Sequence, residues 1–463
     1  MLKRGFSDLD DLRLVNRGNS ILDDLFRSGV QSVRQATQSE AAAKGAYRFL
    51  ANDRVSEDDI VSNMVTNCRA SCVGKVVVAI QDTSEINLIR HKGRIKKDNY
   101  IGTTNANNIR GLGFFIHPSL IIDAVHGIPY GYADIKIWNR DKVYQYKPER
   151  DHNKLPIEEK ESHKWIEVSK NTKASLADVV KRMIIVQDRE GDIYDQFATI
   201  PDAQTDLLIR ARGNRTLTDK SRLFSCLSDS PAQGHYSISV DAKNNRSRRQ
   251  ANLEVRFKEV ALGRPYRVSK TLPASLKLYL IEVLEVGYES EDKICWRLLT
   301  TVPVTNLETA KMCIEWYSWR WMVEEVFKVL KKEGYDIEAS ELEYASSVRK
   351  LCLMIMEVVI KLFLMRLAYA EPETEISAGS CFSEEEQNFL EHQITRLEGK
   401  TEKQKNPNPA KDLKRYVWAI ARLGGWKGYE NKRHPGITTL WIGLRKFHDS
   451  FEGWQIHRNV STR

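Results

Sequence analysis

Apolar and polar residues alternate along this chain in three different textures. Up to about residue 70 the apolar positions recur at helical spacing, with acids and bases turning over quickly between them. Residues 9–15, 20–26 and 39–50 read as helices, the third with Ser39 placed to cap the run that starts at Glu40. Another helix opens at Ser56-Glu-Asp-Asp, close to Ile60. The second texture begins at residue 75. Residues 75–82 and 182–188 are continuous apolar runs of strand length, and each ends on an acid, Asp82 and Asp188. Residues 113–116, 120–125 and 130–137 predict shorter strands, broken by His117-Pro118 and by the segment 126–129, at spacings that suit antiparallel hairpins. Residues 158–181 and 192–199 return to helical patterning, and 206–211 is one more strand. The basic segment 90–110, with its Asn and Gly, reads as a mobile loop, and 138–156 as polar and irregular.

The third texture runs from about 213 to 305. Residues 236–241, 250–257, 276–286 and 295–301 alternate or carry β-branched residues, which predicts an antiparallel insertion. Beyond it, residues 313–333 contain no Gly before 334 and no Pro, and predict one long amphipathic helix. Trp316, Trp319, Val323, Val326, Phe327 and Leu330 form its apolar face; Tyr317, Arg320, Glu324, Lys328 and Lys331 form a polar stripe beside it. The chain is helical again after Gly334 through 367, with linker candidates at 371–380 and 399–414. Near the end, Leu440, Leu444, Phe447, Phe451 and Trp454 make a heptad-like stripe, either a partner-binding face or a face packed on its own domain. Strand, hairpin strands, helix, strand, helix, strand is the order that a ribonuclease H-like core requires. The predicted fold is therefore α/β. A core with a mixed sheet (71–370), interrupted by the antiparallel insertion (about 213–305), is flanked by helical domains at 1–70 and 371–463.

Composition narrows the function. At 463 residues, 41% hydrophobic and 29% charged, the chain can bury sizeable cores. A formal charge of +9 favours a polyanionic partner. The start lacks the apolar stretch of a signal peptide, and the apolar run 351–370 carries Glu357, Lys361 and Arg366, so it reads as a buried helix rather than a membrane span. Seven scattered cysteines suit reduced thiols in a cytosol, and Cys68 and Cys72 lack the second pair that a zinc site needs. No P-loop, dinucleotide glycine fingerprint or G-x-S-x-G occurs.

Ligands of open α/β sheets collect beyond the carboxyl ends of strands, so Asp82 and Asp188 can lie side by side. Neighbouring carboxylates need positive charge between them, and with Glu324 they make a hard-oxygen set suited to Mg²⁺, or Mn²⁺. Two such ions at one site activate a water or a 3′-hydroxyl and stabilise the leaving oxygen of a phosphodiester. The plainer alternatives are strand-end acids that cap the following turn and a solvated helix face with i,i+4 pairing.

The spacing Tyr317-x-x-Arg320-x-x-x-Glu324-x-x-x-x-x-x-Lys331 resembles the Y-R-E-K signature of the IS-four family of bacterial DDE transposases. Agreeing stretches lie, in chain order, at 40–49 (E-A-A-A-K-G-A-Y-R-F), 79–83 (A-I-Q-D-T), 159–165, 187–193 (Q-D-R-E-G-D-I), 296–304, 418–426 and 440–454. The resemblance implies a cut-and-paste transposase with Asp82, Asp188 and Glu324 as the catalytic, metal-binding triad and two Mg²⁺ per active site. It further implies that Tyr317, Arg320, Lys328 and Lys331 hold transposon-end DNA, that Trp296 stacks on a flipped base, and that Arg210 occupies a basic position after the fifth core strand. Cleavage would pass through a DNA hairpin, with the freed 3′ ends joined to target DNA. The N-terminal domain, with Tyr47 and Arg48, would bind the terminal inverted repeats; the C-terminal helices would make a homodimer; and the setting would be bacterial cytoplasm. The stretch from 84 to 147 departs from the family pattern. A DNA-binding repressor without catalysis and a ribonuclease H-like nuclease are the other functions that such a fold allows.

Overall fold

The computed structural model describes residues 5–30, 32–96, 98–104, 111–140, 155–228, 230–240, 249–290, 292–332, 334–370, 375–428 and 434–461. The N-terminal part is helical: α1 (Leu12–Ser28), α2 (Val33–Ala36), α3 (Glu40–Leu50) and α4 (Glu57–Cys72). Two short helices were expected where α1 runs unbroken. Gly18 sits in its middle because the Phe6 ring occupies the space of a side chain there, 2.5 Å from where a Cβ would be. The expected caps are formed: Ser39 Oγ accepts from Ala42 N–H, and Ser56 makes a reciprocal capping box with Asp59.

Next come β1 (Val76–Gln81), β2 (Ser84–Asn87), β3 (Gly113–Asp123), β4 (Pro129–Trp138), α5 (His163–Leu176), β5 (Arg182–Gln187), α6 (Tyr194–Thr199) and β6 (Thr205–Arg210). The strands expected at 113–116 and 120–125 are one strand, β3. Pro118 is tolerated because it stands opposite residues 82–83, where the ladder passes from β1, paired up to Gln81↔Ser119, to β2, paired from Ser84↔Ile116. The first part of the loop at 90–110 is docked: His91 is buried, and its Nε2 lies 2.7 Å from Glu338 O. Residues 97 and 105–110, like 141–154 of the polar stretch, lie outside the described residues.

The insertion contributes β7 (Gly234–Val240), β8 (Arg249–Gly263), β9 (Ser275–Val286) and β10 (Cys295–Thr300). These strands are antiparallel, as expected, and they extend the core sheet, because β10 pairs with β6 as well as β9. The result is one ten-stranded mixed sheet, β2-β3-β1-β5-β6-β10-β9-β8-β7, with β4 on the far side of β3. Within it, β4, β3 and β1 are antiparallel neighbours, while β5 and β6 run parallel to β1, which is the arrangement of a ribonuclease H-like core.

The helices α7 (Leu307–Ser318), α8 (Trp321–Lys331), α9 (Ala345–Ala370), α10 (Glu384–Leu397), α11 (Leu413–Leu423) and α12 (Ile437–Ser461) complete the chain. The central strands are apolar throughout because both faces are covered. Val77 and Ala79 join a cluster with Ile166 of α5 and Phe197 of α6, whereas Val78 and Ile80 join the larger cluster that includes α7, α8 and α9. Helix α9 touches α1, α3, α4, α8, α11 and β4, and no described helix is long and apolar enough to cross a membrane.

The stripe on α12 is spent inside the molecule. Leu440, Leu444, Phe447 and Phe451 are buried, and the Phe447 ring lies 6.0 Å from those of Phe382 and Phe389 and 5.6 Å from that of Phe451. Of the two alternatives for this stripe, packing on its own domain is the one observed. Phe447→Ala should therefore cost about 3–5 kcal/mol of unfolding free energy in a urea titration. A loss under about 1 kcal/mol would show that the stripe is not a core face.

Candidate functional site

Parallel register places the two strand-end acids together. The last backbone pair between β1 and β5 is Ile80↔Val186, so Asp82 and Asp188 each follow two residues later on adjacent strands. The period of two that sends Val78 and Ile80 toward α7 to α9 sends Asp82 the same way. Asp188 opens the turn at Arg189–Gly191 without a side-chain cap bond, which removes the capping alternative for it. Asp82 Oδ1 does accept from the next N–H, that of Thr83, at 2.8 Å.

The third wall differs from the single helix expected at 313–333. The helix is interrupted at Trp319 and Arg320, where the bonds tighten to i→i−3: Arg320 N–H donates to Tyr317 O, and Val323 N–H to Arg320 O. Ahead of the break, Trp316 Nε1–H donates to Ala124 O at 2.9 Å and ties α7 to the β3–β4 turn. The predicted apolar face is otherwise correct: Trp316, Val323, Val326, Phe327 and Leu330 are buried, and Trp319 packs partly buried against the same core.

Arg320, at the break, links two of the acids. Its Nη1 is 2.9 Å from Asp82 Oδ2 and its Nη2 is 2.7 Å from Glu324 Oε1. The side chain is only 11% exposed, and its Nε has no hydrogen-bond partner among the described residues. Burial pulls the Arg320 pKa down, but Glu324, Tyr317, Asp82 and Asp188 outweigh it and hold the guanidinium charged. Burial drives the Asp82 carboxyl up to about 6. The Thr83 amide and Arg320 oppose that shift, and the charges of Glu324 and Asp188 add to it. Asp188 is held from the other side: Tyr317 O–H donates to its Oδ1 at 3.3 Å. Burial, and then the Asp188 charge, raise the Tyr317 phenol, so it remains a donor.

The Tyr317 ring meets Trp296 edge to face at 5.5 Å. Arg210, at the end of β6, reaches the Cys295 carbonyl beside Trp296 at 3.4 Å, and its charge is felt by Tyr317. Asp82, Asp188, Tyr317, Arg320, Glu324, Trp296 and Arg210 thus form one connected cluster. Lys331 lies along α8, 3.9 Å from Glu338, and burial lowers its pKa against the pull of Glu338 and Glu85. Lys328 is exposed on the same helix. Tyr47 and Arg48 are exposed on α3, which packs on α1, α2 and α9, and no described contact ties them to the acids.

Three carboxylates and no soft donor suit a hard divalent cation. In their present arrangement a guanidinium lies between two of them, and among the described residues no group of three His, Cys, Asp or Glu side chains is gathered as a metal site. Cys68 and Cys72 lie Sγ to Sγ 3.8 Å apart, and among the described residues they belong to no such group. Pattern reasoning missed three supports of the cluster. Thr83 Oγ1 lies 2.8 Å from Nδ1 of buried His117, which burial keeps neutral. Asp192 accepts from the Arg212 amide and pairs with Arg215, fixing the basic turn after β6. Gln81 and Gln187, each just before an acid, are hydrogen-bonded to each other.

Comparison with known proteins finds two family matches on parts of the chain. Residues 5–55 match the transposase DNA-binding family, and residues 160–358 match the transposase DDE domain. The two matches, which together hold α1 to α3, Asp188 and Glu324, support a DDE transposase with a DNA-binding part. Among solved structures the chain is similar to the piggyBac transposase in a cryo-EM synaptic complex with hairpin DNA. The identity is 9%, over 80% of this chain and 68% of that one, at a TM-score of 0.36.

Proposed function

We propose that the chain is a cut-and-paste DNA transposase of the IS-four type, similar to the Tn-five transposase. In this reading Asp82, Asp188 and Glu324 are its catalytic acids. The observation that carries this is the shared register of β1 and β5, which sets Asp82 and Asp188 side by side beneath the helix that bears Glu324. The acids would hold two Mg²⁺ (Mn²⁺ in their place), and the bound ions supply the Lewis acid and the activated attacking oxygen. Arg320 neutralises Asp82 and Glu324 until that charge is supplied, and its forked donors suit a phosphate equally well. Tyr317 orients Asp188 and, with Trp296, forms an aromatic wall against which an unstacked base can lie.

Lys328, Lys331 and Arg210 grip backbone phosphates, and the N-terminal helices with Tyr47 and Arg48 contact the terminal inverted repeats. Residues 1–70 are the end-binding domain, 71–370 the catalytic domain and 371–463 the dimerisation domain of a homodimer that holds two ends and the target DNA in bacterial cytoplasm. Cleavage would leave hairpin-ended transposon DNA, which is opened again before its 3′ ends join the target.

The test is incubation with Mg²⁺ and linear DNA bearing the repeats that flank the coding sequence. Hairpin-ended and joined products on a denaturing gel are expected. Binding without cleavage would indicate a repressor, and cleavage without joining a nuclease. In the same system Lys328→Ala should weaken binding alike on all sequences and lower the slope of log K against log salt by about 1. An unchanged slope would remove Lys328 from the phosphate contacts.

A further inference from the structure

A glutamine stands immediately before each of the two strand-end acids, and both glutamines are fully buried. The backbone ladder of β1 and β5 ends at Ile80↔Val186, so the next rung, between residues 81 and 187, is made by side chains. Gln187 Nε2–H donates to Gln81 Oε1 at 2.7 Å and to Ser169 Oγ on α5 at 3.1 Å. Gln187 Oε1 accepts from Gln196 Nε2 on α6, which also donates to Gly191 O at 3.0 Å. Gly191 is pressed so close that a Cβ there would lie 2.1 Å from Gln187 Oε1. Strand alternation points the amides toward α5 and α6 and the acids toward α7 and α8. The amides therefore touch neither the acids nor anything bound to them.

We propose that the Gln81–Gln187 amide pair is a positioning brace. It holds the carboxyl ends of β1 and β5 together where the backbone ladder no longer does, and so sets the separation of the Asp82 and Asp188 carboxylates. Consecutive residues share one backbone, so a shift at 81 or 187 moves the acid that follows. An amide suits this task because it donates and accepts at once: the chain Gln196→Gln187→Gln81 needs both functions at its middle member. The inference rests on Asp82 and Asp188 being a metal-holding pair, and the brace would act as an outer support of that pair.

The experiment is Mn²⁺ binding to the full-length protein, followed by the EPR signal of free Mn²⁺, alongside thermal melting and DNA binding in EDTA. Gln187→Met keeps the volume but removes the rung. It should weaken Mn²⁺ binding about 10-fold or more, with DNA binding in EDTA unchanged. The double variant Gln81→Met/Gln187→Met should bind Mn²⁺ no worse than Gln187→Met, because the two amides act as one unit. Unchanged Mn²⁺ affinity in folded Gln187→Met overturns the proposal, as does an equal loss of DNA binding, which would mean general loosening. Should Gln187→Met fail to fold, Gln196→Met, which removes only the outer support, carries the same test with a smaller shift of the same sign. Asp188→Asn is the control. If it leaves Mn²⁺ binding intact, the assignment of the acids fails; if it abolishes binding while Gln187→Met does not alter it, the brace alone fails.

Discussion

Asp82→Asn should reduce Mg²⁺-dependent strand cleavage by about a thousandfold or more, and the same substitution should stabilise the metal-free protein at neutral pH. The first effect follows from the role proposed for the acid: losing a carboxylate that holds the ions removes several kcal/mol of transition-state stabilisation, and about 4 kcal/mol is a factor of a thousand. The second follows from the Asp82 environment. Its folded pKa is raised from the ordinary 3.8 to about 6, chiefly by burial, so the folded state favours the neutral form. The stability this group contributes is complete below pH 3.8 and is lost as pH rises through 6. At pH 7.5 the ionised carboxylate therefore costs the folded state up to about 3 kcal/mol, and a neutral carboxamide avoids that cost. Differential scanning calorimetry in EDTA should show a higher melting temperature for Asp82→Asn at pH 7.5 and little difference at pH 4. Divalent metal should reverse the order by stabilising only the wild type. An equal or lower melting temperature at pH 7.5 would mean that Asp82 is a structural partner of Arg320 rather than an acid held in readiness.

Arg320→Ala should separate metal binding from catalysis in opposite directions. In the structure the guanidinium occupies two of the three acids, at 2.9 and 2.7 Å, so a cation must displace it. Hydrogen bonds to charged groups contribute about 1.5–3 kcal/mol each, so removing the competitor should tighten Mn²⁺ binding roughly tenfold or more. Cleavage should fall by about 10-fold to 100-fold nevertheless, because a phosphate contact is lost with the side chain. The metal-free variant should also be less stable, by about 2 kcal/mol. That is below the 3–5 kcal/mol of fully buried pairs, because the Glu324 side chain is 34% exposed. Isothermal titration with Mn²⁺ and a cleavage time course decide the matter. Weaker Mn²⁺ binding in Arg320→Ala would show that Arg320 helps to form the metal site instead of standing in for the metal.

Much of this site was legible because it lies where two strong patterns end. A continuous apolar run of strand length stops at Asp82 and another at Asp188, and two-sided burial is what such runs encode. What the patterns could not give is mostly tertiary. The helices expected at 9–15 and 20–26 join into one because the Phe6 ring packs against Gly18 between them, and the strand runs through Pro118 because the β1-to-β2 gap stands opposite it. The break at Trp319 and Arg320 carries no Gly or Pro, and both residues have right-handed helical dihedrals, so no local signal marks it. The α12 stripe was ambiguous for the same reason: its partners Phe382 and Phe389 are more than fifty residues away. The Gln81–Gln187 rung did leave a mark, the repeated Gln-Asp at both strand ends, though its meaning needs the parallel register.

The central claim is that an acid from α8 joins the two strand-end acids in one metal-dependent site, and Glu324→Gln tests it most directly. Cleavage and Mn²⁺ binding of this variant should be measured side by side with the wild type on DNA bearing the flanking repeats. The account predicts that Glu324→Gln binds that DNA as tightly as the wild type in EDTA, loses most Mn²⁺ affinity, and cleaves about a thousandfold more slowly. Wild-type cleavage and wild-type Mn²⁺ affinity in Glu324→Gln would contradict it.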